Sequence, residues 1–182
     1  MLDDLEVLFD ENTIAQVVEG LGERISRDYA GQELLLVGIL KGAALFVADL
    51  ARSVTVPAEI AFIRASSYGS GTSSSGKVEV GLDPDLRFAC RQVLLVDCII
   101  DSGRTLAAVR EMVLERNPAS LRVVVLLDKK EHRTAGVPVD YAGFEVPDRF
   151  LVGYGLDHAG QYRNLPYIAA LSADAPAGAS DK

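Results

Sequence analysis

The 182-residue chain has no tryptophan, two cysteines and two histidines. Cys90 and Cys98 alone cannot build a disulfide framework, and without clustered histidines they do not read as a zinc site. Positive charge is also scarce. Eighteen lysines and arginines stand against 26 acids, a net charge of −8, and that excludes a broad basic face for nucleic acid. No apolar run is long enough to span a bilayer, and the opening Met1-Leu-Asp-Asp-Leu-Glu6 is acidic, unlike a signal peptide. A cytoplasmic protein with no membrane and no nucleic-acid partner is expected. What remains is ordinary for a soluble enzyme, with 49% hydrophobic and 24% charged residues. Residues 1–172 read as a single domain, and the Ala/Gly/Ser/Asp-rich 173–182 as a disordered tail.

The chain is organised around one stretch. Val93-Leu-Leu-Val96 is an unbroken apolar run, as in a parallel-sheet strand buried on both faces. It continues as Asp97-Cys98-Ile99-Ile100-Asp101-Ser102-Gly103-Arg104-Thr105, then turns helical in period from Leu106 to Arg116, where Asn117-Pro118 stops it. A buried strand feeding a short polar turn and then a helix leaves backbone N–H groups pointing outward at Ser102, Gly103 and Thr105, with hydroxyls beside them. That is a receptor for a phosphate monoester flanked by carboxylates. The turn has neither the Lys-Ser/Thr of an ATP-type P-loop nor G-x-G-x-x-G.

Elsewhere residues 3–30 read as a helix capped by Asn12 or Thr13, with Ile14, Val17, Val18, Leu21 and Ile25 at helical spacing and Gly31 as its stop. A second buried strand, Leu34–Leu40, runs into Lys41-Gly42 and a helix from about Ala44 to Arg52, which is either another anion-binding turn or a routine one with a solvated lysine. Ala58–Arg64 is a strand, 66–76 is rich in Gly and Ser, and 77–80 resumes the strand pattern. Leu121–Leu127 is a further buried strand. It places Asp128-Lys129-Lys130 at its carboxyl end, where open α/β sheets bind ligands. His132, in the loop that follows, and His158 are read as solvated rather than catalytic.

The 97–105 turn resembles the phosphoribosyl-pyrophosphate (PRPP) signature of the type I phosphoribosyltransferases. The run Val137–Asp157, with Gln161-Tyr-Arg-Asn-Leu-Pro-Tyr167, is similar to the purine-binding hood of the hypoxanthine-guanine members. The resemblance covers roughly residues 5–171. It implies an α/β fold: a twisted, mostly parallel sheet flanked by helices, with a small C-terminal hood built largely from 137–172 and the N-terminal segment. It also implies a reaction, in which PRPP and hypoxanthine or guanine give IMP or GMP and pyrophosphate. A preference for xanthine, or for hypoxanthine alone, is the rival within enzymes. A regulator that keeps the fold and binds nucleotide or PRPP without turnover is the rival function.

Residue by residue, the resemblance makes Asp101 the general base at purine N7. Ser102, Gly103, Arg104 and Thr105 form the 5′-phosphate cradle, and Asp97 and Cys98 the ribose contacts. Leu40, Lys41, Gly42 and Arg163 hold pyrophosphate, with a cis or strained Leu40–Lys41 peptide. Lys129 donates to the 6-oxo group, Phe150 stacks on the base, and backbone groups of Leu151 and Asp157 meet its edge. Ser67 and Tyr68 belong to a lid, and Asp97 and Asp157 hold Mg²⁺. Asp101 and Lys129 are thus expected to face each other across a slot wide enough for one flat purine. A homodimer or homotetramer is implied as well. The departure is Cys98, where the family usually carries a second acid. Losing one charge-assisted hydrogen bond, worth about 1.5–3 kcal/mol, predicts a weaker grip on PRPP or Mg²⁺ that Cys98→Asp restores.

Overall fold

A computed structural model of the chain describes residues 5–67 and 78–171. Six strands form the large sheet: β2 (Leu34–Leu40), β3 (Ala58–Ser67), β4 (Val78–Gly81), β5 (Gln92–Ile100), β6 (Ser120–Asp128) and β7 (Tyr141–Glu145), in the order β4-β3-β2-β5-β6-β7. All its pairings are parallel except β3 with β4. A separate three-stranded antiparallel sheet joins β1 (Leu5–Phe9), β9 (Ile168–Leu171) and β8 (Leu151–Val152), with β9 in the middle.

Successive side chains of a strand face opposite ways, so the apolar runs of β2, β5 and β6 feed two cores at once. Leu34, Leu36, Leu94, Val96, Cys98, Val124 and Leu126 pack with Ile14, Val18, Leu21 and Ile25 of α1 (Glu11–Asp28) and with Phe46, Val47 and Leu50 of α2 (Ala44–Ser53). The alternate residues Leu35, Val37, Val93, Leu95, Val123 and Val125 pack with Leu106, Val109 and Val113 of α3 (Arg104–Leu114). Fully burying an aliphatic side chain contributes about 1.5–3 kcal/mol, so both faces of the central strands are firmly anchored, and on β6 burial continues to Leu127 and Asp128 at the carboxyl end.

The helix expected over 3–30 is corrected at its start. Residues 5–9 are a strand, and α1 begins at Glu11 behind Asp10, whose carboxylate accepts a 2.8 Å bond from the Thr13 backbone N–H. Asp10, not Asn12 or Thr13, is therefore the cap. Leu5–Phe9 is extended because it pairs with β9, a partner that local periodicity does not reveal. Of the region expected to form the hood, Tyr141–Glu145 lies in the large sheet beside β6. Tyr68 and residues 173–182 lie outside the described residues, as does most of the Gly/Ser-rich stretch. Among the described residues no helix is long and apolar enough to cross a membrane.

Two glycines allow close backbone approaches, Gly153 within the small sheet's own segment and Gly155 between the two sheets. Gly153 (φ +93°) and Gly155 (φ +95°) follow β8, and a Cβ on either would lie 2.0 Å from the Tyr167 carbonyl oxygen or 2.2 Å from that of Gly42. Gly155→Ala adds an unfavourable φ to a backbone clash and is expected to destabilise by on the order of 3 kcal/mol. Gly20, inside α1 with no atom within 4 Å of its Cβ position, is the control. Gly20→Ala should stabilise by about 0.5–1 kcal/mol. Urea midpoints of the two variants moving in the same direction would contradict this account.

Candidate active site

The carboxyl ends of β2 and β5 open into a cleft of about 230 Å³, lined among others by Leu40, Gly42, Asp97, Asp101, Ser102, Gly103 and Thr105. A larger cleft, about 630 Å³, lies between α1, α2 and residues 164–166. Its lining carries none of the residues expected to bind substrate, whereas the smaller one gathers carboxylates, hydroxyls and a helix N-terminus. Convergent polar groups, rather than size, place the site at the smaller cleft.

Each turn is held by its neighbours. Gly103 (φ +80°) immediately precedes α3, whose first turn has N–H groups without intrahelical partners. The Ser102 carbonyl accepts from the Thr134 and Ala135 N–H groups, both at 3.0 Å, and the Lys129 N–H donates to the Ile100 carbonyl at 3.1 Å. These bonds pin the segment after β6 onto the turn after β5. Asp128, 2% exposed, is clamped by both Arg133 Nε, at 2.9 Å, and Arg133 Nη2, so the segment closes on itself. The Leu40–Lys41 peptide is cis, as the resemblance implies.

Lys129 emerges from this packing with its side chain only 9% exposed, and its ammonium lies 3.5 Å from Asp101 Oδ1 and 3.2 Å from Asp148 Oδ1. The two expected partners therefore sit on the same side of the molecule. They do not stand apart across a slot, however. Opposite charges at this distance attract each other, and they form a direct ion pair. His132 is exposed, as expected of a solvated residue, but it also has a partner. It lies in a 3₁₀ turn, Lys130–His132, and its Nδ1 is 2.6 Å from Asp101 Oδ1. The two residues are 31 positions apart, so sequence spacing held no sign of the contact. Asp148 was not foreseen for the same reason.

Asp97 accepts a 2.8 Å bond from the Cys98 N–H. Burial pushes its carboxyl up to about 7, against the opposing pull of the Cys98 and Ile99 backbone N–H groups. Cys98 departs from expectation. It is 0% exposed, packs in the core on the α1/α2 face, and donates its thiol to the Tyr154 carbonyl at 3.6 Å. Strand alternation turns it away from the face that Asp97 presents, so it lines no cleft with the ribose-side residues. Burial raises its pKa, which keeps the thiol a neutral donor.

The other expected residues lie around the second sheet. The Leu171 N–H bonds the Phe150 carbonyl, and Leu151 stands opposite Ala170. Antiparallel alternation then points the N–H and C=O of Leu151 away from β9, toward the open edge of β8. Phe150 is 54% exposed and meets the His158 ring edge-on at 5.2 Å. Arg163 bonds the Gly155 carbonyl through Nη1 and pairs with Asp157 Oδ1 through Nη2, each at 2.5 Å. Asp157 Oδ2 accepts from the Gly160 N–H at 2.8 Å. Lys41 and Arg104 are exposed at their turns, and Ser67 ends β3 at the margin of the described residues.

A family model described as a phosphoribosyl transferase domain matches residues 4–159. The hypoxanthine phosphoribosyltransferase of Salmonella typhimurium is 46% identical over 170 residues, covering 92% of this chain and 96% of that one. The hypoxanthine-guanine phosphoribosyltransferase of Mycobacterium tuberculosis is 46% identical over 175 residues, covering 93% and 87%. A crystal structure of a hypoxanthine phosphoribosyltransferase from Staphylococcus aureus superposes with a TM-score of 0.89 at 41% identity, covering 93% of both chains. A polar turn before a helix N-terminus, an acid and a lysine meeting beside it, and these likenesses lead to one assignment: the chain belongs to the phosphoribosyl transferase family, among its hypoxanthine and hypoxanthine-guanine members.

Proposed function

We propose that the protein is a purine salvage enzyme that transfers the phosphoribosyl group of PRPP to hypoxanthine and guanine, releasing pyrophosphate. The observation that carries this reading is the Lys129 ammonium lying 3.5 Å from Asp101 beside the anion-binding turn. In the reaction the N9 lone pair of the base attacks C1′ of the ribose. The bond from C1′ to the pyrophosphate oxygen breaks, and its electron pair leaves with pyrophosphate. The N7 proton passes to Asp101. A positioned general base contributes about 10²–10⁴-fold to such a step.

Lys129 supplies selectivity. An ammonium offers only donors, so it leaves Asp101 to meet a 6-oxo group and has nothing to accept from the 6-amino group of adenine. A site built to bond one group strongly rejects its opposite. Phe150, exposed on the small sheet, is suited to stack on the base, and the outward N–H and C=O of Leu151 to meet its edge. In this reading β1, β8 and β9 act as the hood. Ser102, Gly103, Arg104 and Thr105 take the 5′-phosphate, Asp97 the ribose hydroxyls, and Lys41, Gly42 and Arg163 the pyrophosphate.

Mg²⁺ suits the donors present. Asp97 and Asp157 offer hard carboxylate oxygens, and Asp97 keeps one oxygen outside its bond to Cys98. Such a cation prefers a few carboxylates together with substrate oxygens. When bound, it neutralises the charge that builds on the leaving group. The protein is expected to be cytoplasmic and to assemble as a dimer or tetramer, with the exposed Ile60 and Phe62 of β3 available for a second copy to cover.

Purified protein with PRPP and Mg²⁺ should consume hypoxanthine and guanine, but not adenine, in an absorbance assay. Asp101→Asn should lower kcat by about 10²–10³. Adenine turnover equal to that of hypoxanthine would sink the role given to Lys129, and an undiminished Asp101→Asn rate that given to Asp101. Cys98→Asp places a carboxylate where no side-chain surface is exposed, at a cost on the order of 3 kcal/mol. Its thermal midpoint should fall, while the KM for PRPP should not. A Cys98→Asp protein of unchanged stability with a lower KM for PRPP would reinstate the position as a substrate contact.

A further inference from the structure

Four charged or titratable side chains close into a ring at the mouth of the site. Lys129 Nζ touches both carboxylates, Asp101 at 3.5 Å and Asp148 at 3.2 Å. His132 reaches the same two from the other side, with Nδ1 2.6 Å from Asp101 Oδ1 and Nε2 3.9 Å from Asp148 Oδ2. Acid and base therefore alternate around the ring. Of the other charged residues on the His132 segment, Lys130 pairs with Glu145 and Arg133 with Asp128, while Glu131 is exposed beside the ring.

If Asp101 is the base and Lys129 the 6-oxo donor, the resting ion pair obstructs both. Lys129 must leave Asp101 to reach a substrate carbonyl, and a carboxylate that loses its only cation resists the change. From this arrangement we infer that His132 is a positioning residue for the proposed reaction. It holds Asp101 through Oδ1 while Lys129 turns to the base, and it leaves Oδ2 free to take the purine proton. The inference rests on the roles given to Asp101 and Lys129 above.

The geometry supports an exchange of partners rather than a static contact. The imidazole donates through Nδ1 to the same oxygen that Lys129 approaches, so Asp101 Oδ1 keeps a donor when the ammonium departs. Asp148 Oδ1 accepts from Lys129 at 3.2 Å, so it can keep hold of the ammonium as that group swings away from Asp101. The anchorage is firm, because the segment bearing both Lys129 and His132 is tied to the Ser102 and Ile100 carbonyls. With side chains about half exposed at positions 101, 132 and 148, the ring opens to solvent and to an incoming base without disturbing the core.

The test compares His132→Leu, which removes the donor, with His132→Asn, which keeps an N–H close to where Nδ1 stands. His132→Leu should lower kcat/KM for hypoxanthine about tenfold, through kcat together with a raised KM for the base, and leave the KM for PRPP unchanged. His132→Asn should recover most of that loss. The His132 ring ¹⁵N and ¹H resonances of the wild type should also shift in Asp101→Asn. The inference is overturned if His132→Leu matches the wild type, if His132→Asn is as impaired as His132→Leu, or if the KM for PRPP rises and the thermal midpoint falls along with the loss of rate. A dead Asp101→Asn beside a fully active His132→Leu removes the role of His132 alone. A fully active Asp101→Asn removes the underlying reading.

Discussion

The backbone of Gly155 lies against the carbonyl of Gly42 at a separation that admits no side chain, and the arrangement of the site depends on that contact. Gly42 belongs to the turn after β2, at the carboxyl end of the large sheet. Gly155 belongs to the loop after β8, in the small sheet. Among the described residues no strand is shared between the two sheets. Their relative position is set by this backbone approach, by the Cys98 thiol of β5 on the Tyr154 carbonyl, and by the Tyr154 hydroxyl on Asp49 of α2. Phe150 and Leu151, proposed to meet the base, come from the small sheet, while Asp101, Lys129 and the proposed phosphate turn come from the large one, so a shift of an ångström here would separate them. Positioned reactions lose rate steeply with such misplacement.

The second constraint is electrostatic. An acidic chain that handles phosphates must gather its cations where they are needed and keep them from collapsing onto its own carboxylates. Lys129 does fall onto Asp101 and Asp148, and its neighbours decide what that costs. The Asp128–Arg133 clamp takes one acid and one base out of the contest and pins the loop. His132 supplies Asp101 with a replacement partner. Lys129 is nearly buried, but Asp101, His132 and Asp148 are about half exposed, and the solvent around them screens each pair, so the ring adds little stability. Its use is in presenting the groups, not in holding the fold together.

The sequence exposed what depends on local order. The buried strands at 34–40, 92–100 and 120–128 announce themselves as apolar runs, and the turn at 101–105 as a strand broken by acid, small residues and glycine. Position 129 follows from lying just past a strand end. The family resemblance carried the assignment of roles, which spacing alone does not supply. What escaped is long-range. β1 pairs with a strand at the other end of the described chain, His132 meets an acid on another strand end, and Asp148 reaches Lys129 from the turn after β7. A lone histidine in a polar loop looks solvated until a second loop is folded onto it.

Cys98 shows how one position follows from both kinds of information. Adjacent residues in a strand face opposite ways, so Asp97 and whatever follows it cannot both point into the cleft. With Asp97 on the cleft side, residue 98 enters the core between α2 and the loop of residues 154–156. An acid there would have to be paired or left protonated, while a thiol fits as a small apolar group with one weak donor. That donor goes to the Tyr154 carbonyl, one residue before the Gly155 that closes on Gly42. The residue that looked like a lost charge in the ribose pocket is instead packed beneath the contact that places one sheet over the other.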